Sequence, residues 1–292
     1  DAGFSADGSL VLARGDGGVA VLRADGSGEV ARIPGEAADA ALSDDGRRVL
    51  TVGADGVVRL HDASDGRLVA ALGGAEGEVA GRCFLGGTGL VLVARTTGDP
   101  RLWRASDGGF ERALEGHGGA VRAVAATADG RYVATLGPTG ARLWNTASGV
   151  RFGSIDEHPG GVTAAHFSRD GAHLVTLGAD GSARVWAVET VERLALLQPA
   201  DQRVADARVS DDGERVAILT RWGVASVWSR RRQQLAPALG ENGRRVDAMD
   251  FAPDGRSILT RNPDRAVRLF DTSLGQPIAT LEDHPQAVTD AR

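Results

Sequence analysis

The chain has 292 residues and a formal net charge of -6, with 42% hydrophobic and 25% charged residues, which is the make-up of a folded domain and not of a disordered one. All 33 basic residues are Arg and none is Lys, as in a GC-rich genome, so the segment cannot encode a Walker-type phosphate loop, a Schiff-base lysine or a kinase lysine. The acidic balance gives no overall attraction to nucleic acid or anionic lipid, and one cysteine, Cys83, excludes an internal disulfide and a thiolate metal cage.

Taken from the N-terminus, "GDGGVA" (Gly15 to Ala20) has the outline of a dinucleotide fingerprint, but no helix follows it and it reads as a hairpin between two strands. The next unit supplies three short β-rich runs, "RVLTVG" from Arg48, "VRLHDA" from Val58 and "LVAALG" from Leu68. The same three return as "HLVTLG" from His173, "ARVWAV" from Ala183 and "LALLQP" from Leu194. They return again as "SILTRN" from Ser257, "VRLFDT" from Val267 and "PIATLE" from Pro277. A fourth run, "VTAAHFS" from Val162 or "VDAMDFA" from Val246, precedes the Asp-Gly turn of its unit. Four strands per unit and no apolar stripe at helical spacing predict an all-β chain.

Two markers fix the period. The Asp-Gly glycine or its equivalent falls at Gly8, Gly46, Thr88, Gly130, Gly171, Gly213 and Gly255, in steps of 38, 42, 42, 41, 42 and 42. A bulky residue two-thirds of the way through each unit falls at Leu22, His61, Trp103, Trp144, Trp186, Trp228 and Phe270, in steps of 39, 42, 41, 42, 42 and 42. Four-stranded antiparallel units at this spacing are the blades of a β-propeller, in which stacking buries what one unit cannot bury alone. The expected architecture is a seven-bladed β-propeller with blades at 1–36, 37–77, 78–118, 119–159, 160–201, 202–243 and 244–283. Residues 284–292 are expected to start a further inner strand, because "DHPQAVTDAR" from Asp283 matches "EHPGGVTAAH" from Glu157. Asp290, Ala291 and Arg292 also repeat the phase of Asp1, Ala2 and Gly3, so the chain is expected to be cut from a longer array or to begin an eighth blade.

The unit "EGHGGAVRAVAATADGRYVATLGPTGARLWNTASG" (Glu115 to Gly149) has a Gly-His start and a Leu-Trp end, and on these residues the chain resembles the WD-repeat family along essentially its whole length. The name-giving Trp-Asp pair never occurs. The resemblance implies a structural tetrad of His, Ser or Thr, Asp and Trp in each unit. One unit has all four, as His158, Thr176, Asp180 and Trp186, while the preceding unit keeps His117, Thr135 and Trp144 but has Thr139 in place of Asp. A His, an Asp and a hydroxyl also invite a hydrolase reading, but the chain has no Gly-x-Ser-x-Gly elbow and no His-Glu-x-x-His, so no catalytic residue is expected.

No metal or other cofactor is expected either. His117, His158 and His284 lie a repeat or more apart, too far for one ligand shell. The "SDDG" turns lack the further oxygen ligands of a calcium loop, and Asp-Gly suits a hairpin corner without any ion. Arg230, Arg231 and Arg232 form the longest basic run and read as a solvated hairpin or strand edge.

The sixth unit has "TRWG" where others have a turn such as "GADG". An aromatic beside an Arg on a loop suits partner binding, and the alternative is that Trp222 folds back on a neighbouring blade. With Arg221 and Trp222, the loops bearing Gln202, Arg203, Arg244 and Arg245 complete the candidate partner-binding surface. The resemblance implies a non-enzymatic, cytoplasmic protein-interaction scaffold or sensor, part of a larger bacterial signalling protein. Enzyme or small-ligand chemistry in the central channel is the alternative, and nucleic-acid binding through the Arg-bearing loops is a weaker one. Membrane partners are not expected.

Overall fold

The computed structural model describes residues 2–15, 17–73, 77–199, 202–236, 238–239 and 245–282. They form 28 strands and no helix. The first sheet holds β1 (Ala2–Phe4), β2 (Leu10–Gly15), β3 (Gly18–Arg23) and β4 (Glu29–Pro34). The second holds β5 (Ala37–Leu42), β6 (Arg48–Gly53), β7 (Val58–Asp62) and β8 (Leu68–Leu72), and the third β9 (Val79–Leu85), β10 (Leu90–Arg95), β11 (Arg101–Arg104) and β12 (Phe110–Ala113). The fourth is built of β13 (Ala123–Ala126), β14 (Tyr132–Gly137), β15 (Gly140–Asn145) and β16 (Arg151–Ile155). The fifth contains β17 (Val162–Phe167), β18 (His173–Gly178), β19 (Ala183–Ala187) and β20 (Glu192–Leu197). The sixth is β21 (Val204–Val209), β22 (Arg215–Thr220), β23 (Ala225–Ser229) and β24 (Gln234–Leu235); the seventh is β25 (Ala248–Phe251), β26 (Ser257–Arg261), β27 (Val267–Asp271) and β28 (Pro277–Leu281). In each sheet the strands lie in chain order. The stretch 284–292, expected to start a further strand, lies outside the described residues.

The Asp-Gly turns rest on a local code that extends beyond the two named residues. In the turn from β17 to β18, Gly171 has φ +70°, a conformation a side chain rarely adopts. Three residues earlier, the Ser168 hydroxyl donates to Asp170 Oδ1 at 2.5 Å and accepts from the His173 amide at 2.9 Å. Asp170 Oδ1 also accepts from the Ala172 amide at 2.9 Å. Ser5, Ser43, Thr127 and Ser210 repeat the hydroxyl-to-carboxylate bond with Asp7, Asp45, Asp129 and Asp212. The carboxylates that suggested calcium are thus engaged with their own turns. Among the described residues no three His, Cys, Asp or Glu side chains converge as a metal shell.

The chain divides into two compact units, Asp1–Thr135 with Leu143–Phe152, and Leu136–Arg142 with Gly153–Arg292. Within the first unit, Leu12, Val19, Val21 and Ile33 of the first sheet bury against Val49 and Ala63 of the second. Leu50, Val58 and Leu60 then pack with Val91 and Val93 of the third, and Leu92 and Leu102 with Val133 and Trp144 of the fourth. Within the second unit, Val175, Val185 and Leu197 pack against Ala207, Val216, Ile218 and Trp228, and Ala217, Leu219 and Val227 against Met249, Ile258 and Phe270. Each cluster therefore takes its members from two consecutive sheets. Full burial of a Val or Leu side chain contributes about 1.5 to 3 kcal/mol, so a single repeat lacks a core that its neighbour supplies.

Candidate interaction surface

The fifth sheet shows how the loops at one end of the strands are anchored. Thr176, fully buried on β18, accepts from Trp186 Nε1 at 2.8 Å and lies 2.8 Å from His158 Nε2. The Thr176 hydroxyl therefore joins the His158 ring and the Trp186 indole at one oxygen, while His158 Nδ1 lies 3.3 Å from Asp180 Oδ1. Arg184 Nη1 donates to Asp180 Oδ2 at 2.9 Å and to Ser182 Oγ at 2.5 Å, and also lies against the His158 ring. Burial, and then the Arg184 charge, hold His158 below the usual histidine range. Burial raises Asp180, but hydrogen bonds from Ser182, Arg184 and His158 outweigh it and bring the carboxyl down to about 2. A neutral, enclosed His and a doubly bonded Thr are arranged to hold a loop, not to attack a substrate. The fourth sheet repeats the arrangement, with Trp144 Nε1 donating to Thr135 at 2.9 Å and His117 Nδ1 at 2.7 Å from the same hydroxyl.

In the sixth sheet the turn from β22 to β23 carries Arg221, Trp222 and Gly223. It is closed by Gly223 N to Thr220 O at 2.9 Å and by Val224 N to Thr220 Oγ1 at 3.1 Å. Gly223 has φ +82°, and a Cβ there would strike Arg245 Cγ, so the third turn residue must be Gly. Two further backbone bonds join this turn to its neighbours: Arg221 N to Arg203 O at 2.9 Å and Val246 N to Gly223 O at 2.8 Å. The loops bearing Arg203, Arg221, Trp222 and Arg245 therefore form one patch.

Trp222 is 74% exposed, so it does not fold back on a neighbour. Arg221 beside it is exposed and has no ion-pair partner among the described residues. Arg203 lies over Gly181 and donates to the Ala179 carbonyl, and Arg245 lies 3.4 Å from Asp247. Gln202 is half-buried with its Oε1 turned inward, and so adds little to the surface. Arg244 lies outside the described residues.

A second group went unnoticed in the sequence because the first strands read as Ala, Val, Thr and Phe. His166 on β17, Arg208 on β21 and Asp250 on β25 hold equivalent register positions, opposite Val175, Ala217 and Leu259. The signal was available: 208 minus 166 and 250 minus 208 are both 42, the repeat length. Arg208 contacts the His166 ring and pairs with Asp206 at 3.2 Å. A register shift between Val204 and Asp206 re-aims Asp206 along β21. Burial, then Arg208, push His166 down to about 4. Burial also raises Asp206, against the pull of Arg208.

The WD40 family model (WD domain, G-beta repeat) matches residues 108–145 and 149–187. Autophagy-related protein 16 of Arabidopsis thaliana is 22% identical over 245 residues, 82% of this chain. The chain spans 48% of that relative's length. Among solved structures, the computationally designed Ika8 protein, a designed propeller, superposes with a TM-score of 0.75 at 20% identity, over 99% of this chain and 88% of its own. Seven four-stranded sheets, two of the repeats matched by the family model and this structural likeness lead to one assignment: the chain carries WD40 repeats on a β-propeller fold.

Proposed function

We propose that the chain is a protein-interaction module that binds its partner through the Trp222 patch. The observation that carries this reading is an exposed Trp beside an Arg that has no ion-pair partner among the described residues, on loops joined by backbone hydrogen bonds to both neighbours. Trp and Arg supply much of the binding energy at protein interfaces, and a loop held in place loses less entropy on binding. Arg203, Arg221 and Arg245 favour an acidic partner surface. The WD40 repeats and the likeness to Autophagy-related protein 16 support an interaction role in general. We further infer that the module belongs to a larger bacterial signalling protein acting in the cytoplasm, a reading that rests on the WD-repeat resemblance together with the composition of a GC-rich genome.

The test is affinity purification with the full-length protein and with a Trp222→Ala, Arg221→Ala double variant. Partners that return with the wild type and not with the variant are the expected result. The same partners on both would remove this surface from consideration.

The group of His166, Asp206, Arg208 and Asp250 favours a second reading, a small anionic or hydrogen-bonding ligand held at the first strands. Its residues argue against catalysis at neutral pH. A histidine titrating near 4 is a weak base there, and Arg208 is already paired with Asp206. Calorimetric titration with small carboxylates, compared between wild type and Arg208→Gln, tests it.

A further inference from the structure

The run Arg230, Arg231, Arg232 lies in the turn of the hairpin from β23 to β24, with Arg231 and Arg232 exposed as expected. It makes one wall of an open cleft of about 890 Å³ between the sixth and seventh sheets. Arg215, at the start of β22, and Arg256, in the turn from β25 to β26, stand in the other walls. The cleft lies at the opposite end of β22 and β23 from Trp222, since those strands run from Arg215 to Thr220 and from Ala225 to Ser229.

Five arginines face three carboxylates in this cleft, Asp212, Glu214 and Asp254, a formal excess of two positive charges. The carboxylates are already engaged. Glu214 pairs with Arg230. Asp212 accepts from the Ser210 hydroxyl at 2.6 Å and from the Glu214 amide at 3.0 Å, and Asp254 from the Arg256 amide at 2.9 Å. Arg232 reaches the Ser273 carbonyl at 3.3 Å. Arg215, Arg231 and Arg256 are left without a carboxylate at ion-pair distance among the described residues. Arginines that line one cleft from the start of β22, from the turn after β23 and from the turn after β25 suit a compact, doubly charged oxyanion, which each can meet with paired N–H donors.

The rest of the molecule selects among anions. With a net charge of -6, the chain repels a polyanion that runs past the cleft, whereas a single phosphate group senses mainly charges within a Debye length of about 8 Å. The cleft also has an apolar side, formed by Val227, Leu235 and Ala236, with Leu235 43% exposed. Beside it, β24 is only two residues long and exposed. These features suit a peptide with an apolar residue near the phosphate.

We infer that the cleft between the sixth and seventh sheets binds a phosphorylated peptide segment, the phosphate monoester held by Arg215, Arg231 and Arg256. This site is separate from the Trp222 patch and stands or falls without it.

Fluorescence anisotropy tests the assignment, using a labelled peptide pool degenerate around a fixed phosphoserine, the same pool with serine, and inorganic phosphate as competitor. The phosphorylated pool should bind at least tenfold more tightly. Arg231→Gln and Arg256→Gln should each weaken it about tenfold, in line with the loss of a charge-assisted hydrogen bond. Trp222→Ala should leave it unchanged. Both arginines are exposed, so a thermal midpoint equal to wild type shows that the fold is intact, and Arg256→Lys should retain part of the affinity. Equal binding of both pools, or no loss in either variant, overturns the assignment. Tighter binding to inorganic phosphate than to the pool, or to duplex DNA or phosphatidylserine vesicles than to either, also overturns it, in favour of a free anion or a polyanion.

Discussion

The indole nitrogen of Trp186 and the hydroxyl of Thr176 are 2.8 Å apart, and that single hydroxyl also serves His158. Thr176→Val keeps the shape and removes the hydroxyl, leaving buried Nε1 of Trp186 and Nε2 of His158 without this partner. At about 1 to 3 kcal/mol for an unsatisfied buried group, the variant should lose at least 2 kcal/mol, read as a lower urea midpoint. Thr176→Ser should retain most of the stability. Equal midpoints for the Val and wild-type proteins would show that the bonds contribute little.

The second sheet reaches the same result with a different residue. His61 occupies the position of Trp186, with Nε2 3.1 Å from the Thr51 hydroxyl and Nδ1 3.2 Å from the Gly66 carbonyl. Since the Thr176 hydroxyl and the Thr51 hydroxyl each meet a ring nitrogen from the third strand, His61→Trp is a conservative change in bonding and an increase in volume. Overpacking of a close-packed interior costs about 1 to 3 kcal/mol. The variant should therefore be less stable than wild type, and His61→Phe, which cannot bond Thr51, should not be better. A rise in midpoint with Trp would show that the site has room for the indole.

Gly178 gives a sharper steric test. A Cβ at this position would fall within contact distance of His158 Nδ1 and Asp180 Oδ1. Both side chains are held by other bonds and cannot easily move. Gly178→Ala should thus displace His158 from Thr176 and lower stability by about 1 to 3 kcal/mol, although Ala alone is ordinarily favourable in a strand relative to Gly. A Thr176→Val, Gly178→Ala double variant should lose less than the sum of the two changes, because both act on the same contact. Strict additivity would separate them.

Much of this fold is legible from spacing, and the reasons are local. Six of the seven turns pair a residue tolerant of positive φ with a carboxylate that accepts amides, so Gly8, Gly46, Gly130, Gly171, Gly213 and Gly255 mark the repeats. The side chains of His158, Thr176, Asp180 and Trp186 also meet inside one sheet, where sequence separation follows strand length. The orientation of Trp222 was not legible, because it depends on whether the adjoining loops leave room for the ring. Nor was the cleft at Arg230 to Arg232, whose other walls come from Arg215 and from Arg256 in the following sheet. His166, Arg208 and Asp250 were concealed differently. Their strands are mostly apolar, and only comparison at the repeat length reveals one ionisable position used three times running.

His166 makes stability depend on pH in a predictable sense. Its folded pKa, about 4, lies below the ordinary value of 6.5, so the unfolded chain binds the proton more readily. The contribution is complete above about 6.5 and is lost as pH falls towards 4. His61, His158 and His173 are displaced in the same direction, chiefly by burial. Asp7, Asp55 and Asp180, each brought down to about 2, add a second loss that begins only below the ordinary carboxylate value of 3.8. Asp206 opposes both, since its raised pKa favours the folded state on acidification. Urea midpoints should therefore fall between pH 6.5 and 4, and His166→Gln should flatten that slope. The His166 ring resonances should titrate near 4 by NMR. Titration near 6.5 would mean that neither burial nor Arg208 acts on the ring as the structure indicates.

Trp222 separates binding from stability. The other four tryptophans lie on third strands, where Trp144, Trp186 and Trp228 are buried and Trp103 is half-buried. Trp222 alone is mostly in water. Exposed substitutions away from packing and capping features change stability by about 0.5 kcal/mol or less, so Trp222→Ala should leave the urea midpoint unchanged while Trp186→Ala should lower it through a stability loss of about 3 to 5 kcal/mol. The fluorescence of Trp222→Ala should move to shorter wavelength, because the most hydrated emitter has been removed. Acrylamide quenching should weaken for the same reason. A large stability loss with Trp222→Ala would place the ring against a neighbouring loop in solution and remove the main support for its role at an interface. An unchanged midpoint together with loss of partner capture would assign the side chain to binding.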